Sequence, residues 1–281
     1  MKIATHAGTK AILEKYGLSA KKSLGQNFLI DQHVLNKIIR AADVNDTDSV
    51  LEIGPGLGGL TQALSEKAGK VLAVELDKRL VEVLKNIFVD ASNIEIIHSD
   101  ILDYTIPNHI KKVVANLPYY VTTPILMHLL ENYQFQTITI MVQKEVAQRM
   151  AAEPGTKAYG ALSLAVRYHA KAEVAAYVPP NSFMPRPQVG SAVVHLTIHK
   201  TPPVSVDKKA LFANIKAGFG KRRKTLVNGL FSAEIYSLTK EAIGEKLKSC
   251  GFSENVRGEQ LTLEEWANIT EALSATEAKC P

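Results

Sequence analysis

The sequence predicts an α/β protein, a doubly wound parallel sheet followed by a small all-helical C-terminal domain. Three observations carry this expectation. Between residues 50 and 145, short Val/Ile/Leu runs alternate with amphipathic stretches, the pattern of parallel strands joined by crossover helices. A glycine-rich turn, Gly54-Pro55-Gly56-Leu57-Gly58-Gly59, follows directly on the first apolar run. Beyond residue 203 the chain shows helical periodicity with Gly and Asn breaks and little strand signal.

Taken in chain order, residues 1–20 read as an N-terminal arm carrying part of a helix. Strands are expected at Ser49–Ile53, Lys70–Glu75, Ile94–Ser99, Lys112–Asn116 and Thr137–Val142, nearly continuous in apolar residues as in a sheet covered on both faces. Between them Leu57–Ala68, Asp77–Val89 and Pro124–Asn132 place apolar residues at helical spacing. Glu145–Ala152 reads as a helix stopped by Pro154-Gly155, and Tyr159–Tyr168 as another. Two more strands, Ala172–Val178 and Ser191–His199, flank a proline-rich loop over 179–187. Lys200-Thr201-Pro202-Pro203 reads as a linker, which sets the domains at 21–203 and 204–281.

Composition narrows the functional class. A 46% hydrophobic and 22% charged chain matches globular averages, which argues against disorder. No stretch reaches the roughly 20 apolar residues of a membrane span, and the N-terminus lacks the apolar core of a signal peptide, so a cytoplasmic location is expected. The two cysteines, Cys250 and Cys280, lie far from every motif, so no disulfide framework, metal site or cysteine nucleophile is expected. A net charge of +5 is compatible with a polyanionic partner, and basic residues cluster at Lys21-Lys22 and Lys221-Arg222-Arg223-Lys224.

The glycine turn is a ligand loop. Glycines let the backbone approach a ligand closely, with the next helix N-terminus facing it. Gly54, Gly56 and Gly59 fit the dinucleotide fingerprint, and Glu75, about 20 residues on, fits the acid that holds ribose hydroxyls. This region alone leaves NAD and S-adenosylmethionine both open. Asp100, closing the third strand, can accept from an adenine amine. Glu52, just before the turn, would add like charge to a pyrophosphate but suits a cationic sulfonium.

The fourth strand ends in Asn116-Leu117-Pro118-Tyr119, at the carboxyl edge where the ligand loop opens. Methylating the N6 amine of adenine calls for such a group, because that lone pair is delocalised into the ring and nucleophilically poor. A side-chain amide oxygen and a backbone carbonyl can accept the two amine hydrogens and favour the tetrahedral, attacking form. Pro118 stiffens the backbone, and Tyr119 offers a stacking platform worth roughly 1–3 kcal/mol to an extruded base. The methylated amine can lose its proton to water, so no general base is assigned.

These motifs together resemble the 16S ribosomal RNA adenine dimethyltransferases over nearly the whole chain. The resemblance rests on Lys22-Ser23-Leu24-Gly25-Gln26-Asn27-Phe28-Leu29, Glu52-Ile53-Gly54-Pro55-Gly56, Val74-Glu75-Leu76-Asp77, Ser99-Asp100 and Asn116-Leu117-Pro118-Tyr119. Val142-Gln143-Lys144-Glu145-Val146-Ala147, Phe183-Met184-Pro185-Arg186-Pro187-Gln188-Val189, residues 219–226 and Arg257-Gly258-Glu259-Gln260-Leu261 continue it. It implies a Rossmann-like methyltransferase domain using S-adenosylmethionine and acting on two adjacent adenosines near the 3′ end of the RNA in the small (30S) subunit. It also implies that Asn27 and the Leu29 backbone meet the methionine end of the cofactor, that Gly54 and Gly56 lie against it, and that Glu75 holds the ribose. Asp100 then meets the adenine and Asn116 sits at the transfer point. Phe183 is implied as a second stacking partner facing Tyr119, and the 204–281 domain, through Lys221, Arg222, Arg223 and Lys224, as the contact to RNA phosphates. A monomer is expected, since RNA must reach the sheet edge.

Four other readings compete. A 23S rRNA dimethylase of the macrolide-resistance type shares the loop and tetrapeptide, but the helical tail with its basic run resembles the 16S branch. A DNA adenine methylase needs a larger target-recognition domain. A non-catalytic assembly factor is disfavoured by the intact tetrapeptide, and an NAD oxidoreductase lacks a convincingly placed hydride-transfer acid.

Overall fold

The computed structural model describes residues 1–21, 24–220 and 224–275. Within them the chain forms two compact units: Met1–Ala147 with Ala172–Ile198, and Gln148–Lys171 with the residues from His199 onward.

The first unit is built on a seven-stranded sheet. Its strands are β2 (Ser49–Ile53), β3 (Lys70–Glu75), β4 (Ile94–His98), β5 (Lys112–Asn116), β6 (Thr137–Gln143), β7 (Ala170–Val178) and β9 (Ser191–Ile198), in the order β4-β3-β2-β5-β6-β9-β7. β2 pairs in parallel with both β3 and β5, and β3 with β4 and β5 with β6 likewise. The chain thus winds outward in one direction from β2 and in the other from β5, which opens a crevice at their carboxyl ends. β9 runs antiparallel to β6, and β7 lies beyond it at the edge. Every residue of β2 from Val50 to Ile53 is buried, as a central strand covered on both faces requires.

The connecting helices follow from local chemistry. Helix α4 (Lys78–Ile87) starts where the Asp77 carboxylate accepts the Arg79 N–H, and it buries Leu80, Val81, Val83 and Leu84. Helices α3 (Gly59–Ser65) and α5 (Thr122–Asn132) make the other crossovers, and α6 (Lys144–Met150) follows β6. The arm folds as α1 (His6–Lys15), with Ile3 and Ile12 in a small apolar cluster beside Phe28 and Leu57. Helix α2 (Gln32–Ala42) goes beyond the expected elements: Asp31 caps it through His33 and Val34, and Val34, Leu35, Ile38 and Ala42 pack on the sheet. The proline-rich loop carries a two-residue strand, β8 (Phe183–Met184), antiparallel to β1 (Phe28–Leu29).

The second unit holds α7 (Ala161–His169), α8 (Lys208–Gly220), α9 (Leu226–Ser232), α10 (Lys240–Ser249) and α11 (Leu263–Ser274) around the fully buried Trp266. Segment 148–171 belongs here rather than with the sheet, because Leu164 and Tyr168 pack with Leu211, Ile215 and Trp266 and the Tyr159 hydroxyl donates to the Leu261 carbonyl at 2.8 Å. The expected boundary lies at 203/204, whereas the compact units part at 198/199, with segment 148–171 in the second. Among the described residues no helix is long and apolar enough to cross a membrane.

Candidate active site

A cavity of about 220 Å³ opens at the carboxyl ends of β2 and β5. Its wall brings together Asn27, Leu29, Gly54, Gly56, Glu75, Asp100, Asn116, Leu117, Pro118 and Tyr119, all expected from the sequence. They arrive from five places in the chain because each follows or precedes a strand end at the switch point.

The glycine turn shapes the floor. Gly56 has φ +63°, and a Cβ there would meet the Phe28 ring at 3.2 Å; its N–H donates to Glu75 Oε2 at 3.1 Å. Gly58, absent from the literal fingerprint, has φ +88° and lies so close to Phe88 that a Cβ would sit 2.6 Å from the ring. Both positions demand glycine for backbone and space together. Gly59 is simply the first helical residue of α3.

Three carboxyl groups face the cavity, and among the described residues no Lys, Arg or His lines it. Glu52 is 1% exposed, and its Oε2 is buried with no hydrogen-bond partner. Burial pushes its pKa up to about 8, with the negative charge of Glu75 adding to the rise and Thr61 opposing it. Glu75 is also raised by burial, against the N–H donors of Asp77 and Gly56 that favour its ionised form. Asp100 accepts the Leu102 N–H through Oδ1 at 2.9 Å. A buried acid with one oxygen unpartnered, together with two further acceptors, disfavours a pyrophosphate and fits a ligand bearing a cation and hydroxyl and amine donors. S-adenosylmethionine has that donor set: a sulfonium and an ammonium, ribose hydroxyls and an adenine amine.

On the cavity wall Asn116 Nδ2 donates to the Asn27 carbonyl at 3.3 Å. A carbonyl only accepts, so the NH2 end of the amide must face it, and Oδ1 is left as an acceptor. The Leu117 N–H is taken by the Met141 carbonyl, while the Pro118 carbonyl accepts from Thr122 Oγ1 and the Val121 N–H. The Leu117 carbonyl is therefore the backbone acceptor next to Asn116. Tyr119 is held by a 2.6 Å hydrogen bond between its hydroxyl and Ser191 Oγ, and burial raises its pKa.

A carboxylate outside the expected set organises this wall. The Asp77 side chain is 2% exposed and accepts from Arg79 NH2 at 2.9 Å, Gln26 Nε2 at 3.1 Å and Lys21 Nζ at 3.2 Å. Burial alone would raise its pKa; hydrogen bonds from Arg79, Gln26 and Lys21 outweigh that and hold it well below the usual carboxylate range. Gln26 Oε1 in turn accepts the Lys21 N–H at 2.8 Å. The strap 24–29 is thus pinned to the start of α4, and its Asn27 carbonyl orients the Asn116 amide. Asp77 is legible in the sequence only as a helix cap; its partner Gln26 lies 51 residues away.

Two expectations fare differently. Phe183 is not on the cavity wall: its ring is 3% exposed, packed with Leu35, Ile38 and Val193, and fixed by the pairing of Leu29 with Phe183. A ring in the core cannot present a face to a base in this conformation. Of the basic run, Lys221, Arg222 and Arg223 lie outside the described residues, and Lys224 is exposed just before the Thr225 cap of α9.

Comparison with known proteins gives the family. A family profile described as ribosomal RNA adenine dimethylase matches residues 17–275. The chain is 48% identical to the ribosomal RNA small subunit methyltransferase A of Alkaliphilus metalliredigens, over 98% of this chain and 99% of that protein. A dimethyladenosine transferase from Plasmodium falciparum superposes with a TM-score of 0.78 at 25% identity, covering 89% of this chain and 98% of the other. The 23S rRNA methyltransferase ErmE superposes at 0.71 and 25% identity, covering 88% and 100%.

Proposed function

This chain belongs to the ribosomal RNA adenine dimethylase family, and we propose that its substrate is a pair of adjacent adenosines near the 3′ end of 16S rRNA in the 30S subunit. It is an S-adenosylmethionine-dependent methyltransferase acting on adenine of ribosomal RNA. The observation that carries the reading is the Asn116 amide, oriented with its acceptor oxygen free at the edge of an acid-lined cavity.

Bound S-adenosylmethionine supplies an electrophilic methyl on its sulfonium. The residues of the chain do the rest. Asn116 Oδ1 and the Leu117 carbonyl accept the two N6 hydrogens, which turns the amine lone pair out of conjugation and toward the methyl. Tyr119, its hydroxyl tied to Ser191, stacks on the extruded base. Glu75 and Asp100 orient the cofactor by its ribose and adenine, Asn27 and the Leu29 backbone border its methionine end, and Glu52 compensates its positive charge. After one transfer the monomethylated amine keeps one hydrogen for the same acceptors, so a second round needs no new residue. Phe183 enters as a stacking partner only if the β1–β8 ribbon lifts its ring from the core; as it stands the ring supports the strap.

The second unit, with Lys221–Lys224, supplies phosphate contacts that place the subunit without reading its sequence. The enzyme acts as a cytoplasmic monomer. Identity to the small-subunit enzyme of A. metalliredigens is nearly double that to ErmE, which favours 16S over 23S RNA. The test is methyl transfer from radiolabelled S-adenosylmethionine to unmethylated 30S and 50S subunits. Label in 16S RNA as N6,N6-dimethyladenosine supports the proposal; label confined to 23S RNA overturns it.

A further inference from the structure

Beside the catalytic edge, one exposed aromatic ring has no structural use. Tyr177 is 56% exposed on β7, the edge strand of the sheet, and contributes nothing to the core. Uncovered aromatic surface on an edge strand invites aggregation, so its retention calls for a reason. The Lys144 ammonium lies over the ring, 5.4 Å from its centroid. Lys144 is exposed and begins α6.

This pair is tied to the active site by a short chain of contacts. The Lys144 N–H donates to the Gly190 carbonyl at 2.9 Å, and the next residue, Ser191, bonds the Tyr119 hydroxyl. A Cβ at Gly190 would lie 3.4 Å from the Val178 carbonyl, at the end of β7 that carries Tyr177. β5, β6, β9 and β7 are consecutive in the sheet, so Tyr177 lies about three strand spacings, roughly 14 Å, from Asn116 along the same edge. Single-stranded nucleic acids are held by this combination of an aromatic face for a base and a cation for the neighbouring phosphate.

We propose that the Lys144–Tyr177 pair is a nucleotide-binding platform, where a base of the RNA strand adjoining the target adenosine stacks on Tyr177 while Lys144 meets its phosphate. This rests on the rRNA-methylation reading of the neighbouring site. It gives the sheet edge a second hold on RNA, apart from the helical unit, that keeps the strand from sliding once a base has been extruded.

The test uses the full-length enzyme and 30S subunits. Tyr177→Ser is expected to raise the KM for the subunit about fivefold or more, the lower end of one lost stacking contact, with S-adenosylmethionine affinity unchanged. Tyr177→Phe keeps the ring face and restores the wild-type KM. Lys144→Gln lowers the slope of log affinity against log salt by about 0.7 to 0.9, one phosphate contact, which a merely structural lysine would not do. A subunit KM within twofold of wild type for Tyr177→Ser, or an unchanged salt slope for Lys144→Gln, overturns the proposal. Tyr177→Trp gives a readout without turnover, since the single native tryptophan, Trp266, is fully buried. Its emission should be quenched by a single-stranded adenine-rich oligoribonucleotide, and an unquenched signal at saturation counts against the platform. If wild-type enzyme fails to methylate 30S subunits, the reading of function falls; the fluorescence titration still decides the platform.

Discussion

Replacing Asp77 by Asn tests whether the strap over the cofactor cavity is held from α4. Asn caps a helix as well as Asp, so with the oxygen kept toward the Arg79 N–H, α4 itself is spared. The new NH2 then faces Gln26 Nε2, donor against donor. Gln26 can turn its oxygen toward position 77 only by presenting its NH2 to the Lys21 N–H, which its oxygen now accepts at 2.8 Å. One hydrogen bond to a charged group is therefore lost, about 1.5–3 kcal/mol. The Lys21 and Arg79 contacts, both well exposed on the basic side, are left out of this figure. If the loss falls on ordering 24–29, S-adenosylmethionine affinity drops about tenfold or more, since 1.4 kcal/mol is a factor of ten. Titration calorimetry reads the affinity and a thermal scan separates it from global unfolding. Asp77 also sets an acid limb. Its pKa is lowered on folding, so its stabilisation is present above the unfolded value near 4 and is lost as pH falls toward the folded one; the Asn variant flattens that loss. Cofactor affinity within twofold of wild type would refute the clasp.

Three further outcomes follow from two buried groups, Glu52 and Phe183. Glu52 binds its proton more tightly folded than unfolded, so the cofactor-free protein loses stability as pH rises from about 4.5 to about 8, by up to about 1.4 kcal/mol per unit; Glu52→Gln removes that slope in chemical denaturation. Cofactor binding near pH 7 should release a proton from Glu52 to solvent, seen as a dependence of calorimetric heat on buffer, and the Gln variant should show none. Phe183→Ala should cost about 3–5 kcal/mol of stability by emptying a core site, whereas a ring used only for stacking would leave denaturation unchanged and reduce only transfer.

What the sequence made legible is what local pattern encodes. The bounds of β2, β3 and β5 follow from short apolar runs, broken in β2 only by Glu52, and each run ends in a motif, so Gly54, Glu75 and Asn116 come together once the strands are parallel. Helix α2 was equally local, with its Asp31 cap and Val34, Leu35, Ile38 and Ala42 on one face, but it precedes the first strand of the alternation on which the reading rested. Two-residue strands have no period to detect, so the pairing of Leu29 with Phe183, and with it the burial of that ring, is visible only in three dimensions. The same holds for Gln26 and Asp77, whose polar side chains carry no sign of a partner 51 residues away. Segment 148–171 alternates with strands in sequence yet packs with the later helices, because Leu164 and Tyr168 find their apolar neighbours there.

The Asn116 acceptor oxygen, poised beside an acid-lined cavity, is proposed to activate the N6 amine. Asn116→Ala tests it most directly, by single-turnover methyl transfer to 30S subunits at saturating S-adenosylmethionine, with cofactor affinity measured in parallel. Affinity is expected to change by less than tenfold while transfer falls by about 10²–10³, the cost of one preorganised acceptor in the transition state. Transfer within tenfold of wild type, with cofactor bound, would contradict it.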